Sequence, residues 1–158
     1  MTANLARLGH AVPMTTPWRA LWGSGGGLSE RAVDTLTGHT GPVSAVACTR
    51  IGNRPVAVTG NWDCTARVWD LATGEHLSTL TGHTGGVSAV ACTRIGDRPV
   101  AVTGSRDDTV RLWDLATGAE DDDSRLVVPG PVEALAAYDG LLIVGTGVDV
   151  IAYAWTGP

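Results

Sequence analysis

A chain of 158 residues with a net charge of -5 buries one modest core and has no basic stripe for nucleic acid. No run of about 18 apolar residues exists, which argues against a helical membrane span. Three cysteines with no C-x-x-C spacing give no paired metal ligands, and an odd, unpaired set fits a reducing cytoplasm.

Residues 1–30 read as a tail and linker. Arg7 is not followed by the continuous apolar stretch of a secretion signal. Trp18 and Trp22 are expected to tuck onto the surface of the repeated segments. The run Gly23-Ser24-Gly25-Gly26-Gly27 lacks both the preceding strand and the following Gly-Lys-Ser/Thr of a phosphate loop.

From Arg31 onward strands dominate, because 21 Gly, frequent Val, Thr and Ala and no Phe favour short β-branched strands joined by turns. Leu36 to Gly74 is repeated almost word for word from Leu80 to Gly118, with roughly 32 of 44 aligned positions identical. Strands are predicted near 32–37, 43–49, 55–60 and 65–70, then near 76–81, 87–93, 99–104 and 109–114. The alternation in VSAVAC and PVAVTG, with turns at Ile51-Gly52-Asn53 and Ile95-Gly96-Asp97, supports antiparallel hairpins. Cys48 and Cys92 fall in the apolar run and are expected to be buried, with Cys64, in a turn, more exposed. The acidic run Glu120 to Asp123 is read as a solubilising edge, with a site for a basic partner as the lesser alternative.

An eroded third copy spans Leu126 to Trp155, with strands predicted near 124–128, 131–137, 140–145 and 149–155. Its spacing places Val128 at the His position, Gly145 at the Thr position, Asp149 at the Asp position and Trp155 at the Trp position.

Each full repeat carries four polar or aromatic residues at fixed offsets: His39, Thr59, Asp63 and Trp69, then His83, Thr103, Asp107 and Trp113. A catalytic triad is one reading of His, hydroxyl and carboxylate. The stronger reading is structural: the His bonds the turn Asp, and the Thr links the imidazole to the indole N–H.

A period of about 40–45 residues, with Gly38-His39 and Gly82-His83 near the start and Trp69-Asp70 and Trp113-Asp114 near the end, resembles the WD-repeat β-propeller family and its structural tetrad. The resemblance implies an all-β protein with four-stranded antiparallel blades over 31–158, packed radially around a channel. It also implies a non-enzymatic platform for a protein or peptide partner, with no cofactor. The wording LTGHTGPVSAVACT is similar to that of bacterial, actinobacterial-type multi-domain proteins, in which such blades follow a regulatory domain. Against them this chain looks like a shortened propeller, and a truncated regulatory or sensor fragment is the alternative function.

Propellers close with 4–8 blades, so about three would form an incomplete arc with open faces at both ends. Two outcomes stand: two copies completing a six-bladed ring, or an open, marginally stable fragment. The last copy lacks a fourth strand, which residues 32–37 could supply to another copy. Candidate partner contacts are Trp62, Asn61 and Arg106, where the repeats differ, although drift in a solvent-facing turn explains those differences equally well. Arg67 and Arg111 are expected to pair with Asp residues, and His10 and His76 to be solvated.

Overall fold

The computed structural model describes residues 36–157. The predicted tail at 1–30 lies outside them, with Trp18, Trp22 and His10. So does most of the predicted strand 32–37, and its two described residues, Leu36 and Thr37, are not in a strand.

The described chain is all-β and forms three antiparallel sheets. The first holds β1 (Val43–Ile51), β2 (Arg54–Asn61), β3 (Thr65–Asp70) and β4 (His76–Thr81) in that order. The second holds β5 (Val87–Ile95), β6 (Arg98–Ser105), β7 (Thr109–Asp114) and β8 (Leu126–Val127). The third has only β9 (Val132–Tyr138), β10 (Leu141–Thr146) and β11 (Asp149–Ala154).

Two-residue hairpins set the registers. Gly52 and Gly96, both at φ 60, take the first turn position that a side chain would strain, and Ile51↔Arg54 and Ile95↔Arg98 close the pairs. In the third sheet Asp139 and Gly140 both have positive φ, as a type I′ turn requires. Asp70 and Asp114, the acids of the Trp-Asp pairs, fix the turns that follow. Their Oδ1 atoms accept the backbone N–H groups of Ala72 and Thr73 and of Ala116 and Thr117 at 2.7–3.2 Å.

The predicted strand at 124–128 is corrected. Leu126–Val127 does not open the third sheet but pairs with β7 as the outermost strand of the second, as β4 does in the first. Each of the first two sheets is thus completed by the segment leading toward the next, because that segment must cross the outer edge to reach the next inner strand.

Two apolar layers hold the sheets together. Val56, Val58, Val68 and Leu80 of the first meet Val87, Val90, Ala101 and Trp113 of the second. Val100, Val102, Val110 and Leu112 of the second meet Val132 and Val144 of the third. The inner strands are also tied directly: the Ser44 hydroxyl donates to Val87 O, and the Ser88 hydroxyl to Val132 O.

The cysteine expectations change accordingly. Cys48 is exposed, while Cys64 and Cys92 are intermediate. Cys92 packs against the first apolar layer, and burial there, with Cys48 nearby, pushes its thiol up to about 12. Cys48 sits at the equivalent place on β1, where no sheet covers it among the described residues.

Candidate interaction site

The second sheet carries a continuous polar chain. Trp113 Nε1 donates to Thr103 Oγ1 at 2.8 Å, and Thr103 Oγ1 lies 2.8 Å from His83 Nε2. His83 Nδ1 lies 2.8 Å from Asp107 Oδ2. The ionised Asp107 carboxylate can only accept, so Nδ1 carries the proton, and in the neutral ring Nε2 is left to accept the Thr103 hydroxyl, which itself accepts the indole N–H. The imidazole is neutral in this arrangement, and burial, the largest influence on it, holds its pKa below 6.5. Burial also works to raise Asp107, but hydrogen bonds from the Thr109 hydroxyl, the Thr84 N–H and His83 outweigh it and bring the carboxyl down to about 2.

The first sheet repeats the chain more loosely. Trp69 Nε1 donates to Thr59 Oγ1 at 2.8 Å, and Thr59 Oγ1 lies 2.7 Å from His39 Nε2. His39 Nδ1 is 3.5 Å from Asp63 Oδ2 and has no hydrogen-bond partner among the described residues. Burial lowers the His39 pKa below 6.5 here too. Burial again works to raise Asp63, yet hydrogen bonds led by the Thr65 hydroxyl hold it at about 2. Thr59 and Thr103 are buried and already accept the indole proton, so neither hydroxyl is presented to a substrate.

The third sheet has no such chain, and its register revises which residues stand in for it. Thr103 pairs with Val90, and in the third sheet Val144 pairs with Leu135 in the same place. Trp113 pairs with Ala101, as Tyr153 does with Leu142. The Thr place therefore belongs to Val144 rather than Gly145, and the Trp place to Tyr153 rather than Trp155. Asp149 follows the turn at the place of Thr109, pairs with Thr146 and is exposed. A shorter turn between the second and third strands shifts the alignment, which sequence spacing alone does not reveal. Val128 is buried among apolar neighbours instead of filling a His role.

The turns β2–β3 and β6–β7 bring the candidate contacts to one end of the sheets. Trp62 is 54% exposed, and the exposed Arg106 of the next sheet holds its guanidinium 5.1 Å from the indole centroid. The Trp62 backbone lies over Gly86, where a Cβ would come within 3.2 Å of Trp62 Cα. Repeat one has Pro42 at the equivalent place, so the differences Pro42/Gly86 and Trp62/Arg106 meet in space.

Asn61 is corrected: it is fully buried, its amide donates to Gly41 O, and its Oδ1 accepts the Asp63 N–H at 2.7 Å. Ser105 makes the same two bonds, to Gly85 O and from the Asp107 N–H. Asn61 therefore braces the turn that presents Trp62 and has no polar atom left for a partner. Its place inside the strand, one residue before the turn, was the available signal.

The arginine expectation also changes, while His76 is exposed. Arg111 pairs with Glu120 at 2.9 Å, not with an Asp, while Arg67 makes no salt bridge among the described residues. The position equivalent to Glu120 is His76 in repeat one, which stacks edge-on against Trp69 at 5.3 Å while remaining exposed. Sequence reasoning gave Glu120 no pairing role. It joins Arg111 to Arg125, which it meets at 2.9 Å.

Among the described residues no group of three or more His, Cys, Asp or Glu side chains is placed to hold a metal. No helix there is long and apolar enough to cross a membrane.

The chain is similar over 74 residues to the pre-mRNA-splicing factor PRP46 of Eremothecium gossypii, at 38% identity. That match covers 47% of this chain and 15% of the splicing factor, so the chain spans a small part of its relative's length. The family described as WD domain, G-beta repeat matches residues 30–70 and 74–114. Two matched repeats cover more than half the sequence, the first holding β1–β3 and the second β4–β7, and the chain belongs to the WD-repeat family.

Proposed function

We propose that this chain is a non-enzymatic scaffold that binds a protein or peptide partner through the face carrying Trp62 and Arg106. The single observation that carries this reading is the exposed indole, overlaid by a guanidinium from the neighbouring blade. Trp and Arg are the residues that dominate binding hot spots, and neither has a packing role that demands it here. The two polar chains act as structural tetrads holding the turns that present this pair. The same reading includes no cofactor, no nucleic-acid or membrane partner, and a cytoplasmic location. It also includes a bacterial origin, supported by the repeat wording, while the three unpaired cysteines support the cytoplasmic location.

The test is to select peptide binders on the wild-type protein and measure their affinity for Trp62→Ala. A loss of about tenfold or more with an unchanged melting temperature supports the reading, given that a central Trp contributes about 2 kcal/mol or more. Unchanged affinity for every selected peptide refutes it.

A second reading rests on β1. Val43 and Val46 are 55% and 63% exposed, while their equivalents Val87 and Val90 are 0% and 9% exposed against the first blade. Such a face suits a further blade. We propose that a second copy supplies it, two arcs of three blades closing a six-bladed ring of C2 type. A regulatory or sensor segment within a larger bacterial assembly is the alternative that the same face supports.

A further inference from the structure

Each contact between blades is built on a valine seated over a glycine. Val87, at the start of β5, lies over Gly60 of β2. A Cβ added to Gly60 would come within 2.7 Å of Val87 Cγ1 and 3.4 Å of Val87 Cβ. Val132, at the start of β9, covers Gly104 of β6 in the same way. A side chain at either glycine would displace the valine, so its absence is what lets the sheets approach. A serine fastens the joint. The Ser44 hydroxyl lies 3.3 Å from Gly60 O and donates to Val87 O, as Ser88 does between Gly104 O and Val132 O.

Both halves of this device occur once more, at opposite ends of the arc and unpaired among the described residues. The glycine half is Gly145, which pairs with Ala134 as Gly60 pairs with Ala45 and Gly104 with Ala89. A Cβ there would meet only Ala134, in its own sheet, at 3.5 Å, so within one chain the added atom is harmless. Around Gly145 the outer face of the third sheet repeats the face that the first sheet turns to the second. Ala136 and Ile143 stand at the places of Ala47 and Val58, and Ala152 at the place of Val68. That face is uncovered, with Val150 75% and Tyr138 78% exposed. The valine half is Val43, in register with Asn61 as Val87 is with Ser105, and it is 55% exposed where Val87 is 0%. An apolar face whose complement is carried elsewhere on the same molecule makes a head-to-tail contact between copies.

We propose that Val43 of one copy seats on Gly145 of a second, the third blade of one receiving the first blade of the other as the first blade receives the second within a chain. This rests on the reading that a second copy covers β1, and adds which face that copy brings and where it locks. One part differs. The serine place on the third sheet holds Glu133, an exposed carboxylate, which accepts hydrogen bonds and cannot donate to the Val43 carbonyl. The joint between copies is therefore weaker than the two within the chain.

The test is a disulfide. Cys48→Ala and Cys64→Ser first remove the native thiols other than Cys92. Val43→Cys and Gly145→Cys are then made in separate batches of full-length protein, mixed and mildly oxidised. The 3.4 Å Cβ separation of the Val87–Gly60 joint is close to what a disulfide spans. The expected result is a band at twice the chain mass on a non-reducing gel of the mixture. It should be absent from either batch alone, and from Val43→Cys mixed with Val148→Cys on the neighbouring exposed turn. Glu133→Ser, restoring the hydroxyl, should tighten association about fivefold in a light-scattering dilution series. A two-copy species that never forms the disulfide overturns this docking and leaves the pairing reading standing. A monomer at every concentration overturns both. In a chain carrying Val43→Cys and Gly145→Cys together, a disulfide within one chain overturns the docking, whereas a ladder of higher multiples supports it and sinks only the closed ring.

Discussion

Proton uptake by His83 Nε2 would reverse its bond with Thr103 and leave the buried Thr103 hydroxyl proton without this acceptor. The His83 pKa is lower folded than unfolded, so the unfolded chain binds the proton first as the pH falls. Its contribution is complete above about pH 6.5 and drains away as the pH falls from there toward the folded value. Asp107, at about 2 folded against 3.8 unfolded, adds a second loss as the pH falls from 3.8 toward 2. Calorimetry should therefore show a melting temperature that is level above pH 7 and falls below pH 6.5, and His83→Gln should flatten the upper part of that fall. Asp107→Ala removes the carboxylate that accepts from Nδ1 of a buried imidazole, leaving it only the Thr109 hydroxyl at 3.2 Å, and should cost about 2 kcal/mol by chemical denaturation. Asp63→Ala should cost less, because His39 Nδ1 already stands 3.5 Å from its carboxylate. Equal costs would show that the looser geometry of the first blade is without energetic meaning. The residues of both chains were legible from their offsets in the sequence. The role of Asn61 was not, since only the folded turn shows its amide directed inward.

Blade packing depends on two glycines that approach the next sheet. A Cβ on Gly104 would lie 2.3 Å from Val132 Cγ1, and one on Gly60 would lie 2.7 Å from Val87 Cγ1. Gly145, at the same register place in the third sheet, would meet only Ala134 Cβ at 3.5 Å, an ordinary contact. Gly104→Ala should therefore destabilise by about 1–3 kcal/mol through overpacking, while Gly145→Ala should change stability by less than about 0.5 kcal/mol. Equal effects in thermal unfolding would contradict the position of the third blade as the open end. At this scale the sequence placed most strands closely but misassigned Leu126–Val127, because a strand's neighbours depend on which sheet edge the chain crosses. It also misaligned the third copy, because one shortened turn moves every later residue while leaving the apolar alternation intact.

The three described blades form an arc with an open inner strand at one end and an open edge at the other. Identical wording has unequal burial along it: VSAVAC is largely exposed on β1 and largely covered on β5. If two copies close a ring, light scattering should give twice the chain mass, and the melting temperature should rise with protein concentration. Val46→Glu, placing a charge on the open face, should then yield a monomer with lower stability than the pair. A wild-type monomer at all accessible concentrations would remove the ring. The sequence by itself determined the repeat period, the all-β class and the His, Thr, Asp and Trp of each full blade, because these are encoded by local alternation and fixed spacing. Only the tertiary structure decided which copy of a repeated residue is buried, that Trp62 and Arg106 meet, and that among the described residues Gly60 and Gly104 take a valine from the next sheet while Gly145 does not. Each of these depends on what the next sheet covers, and two copies with the same residues have different neighbours.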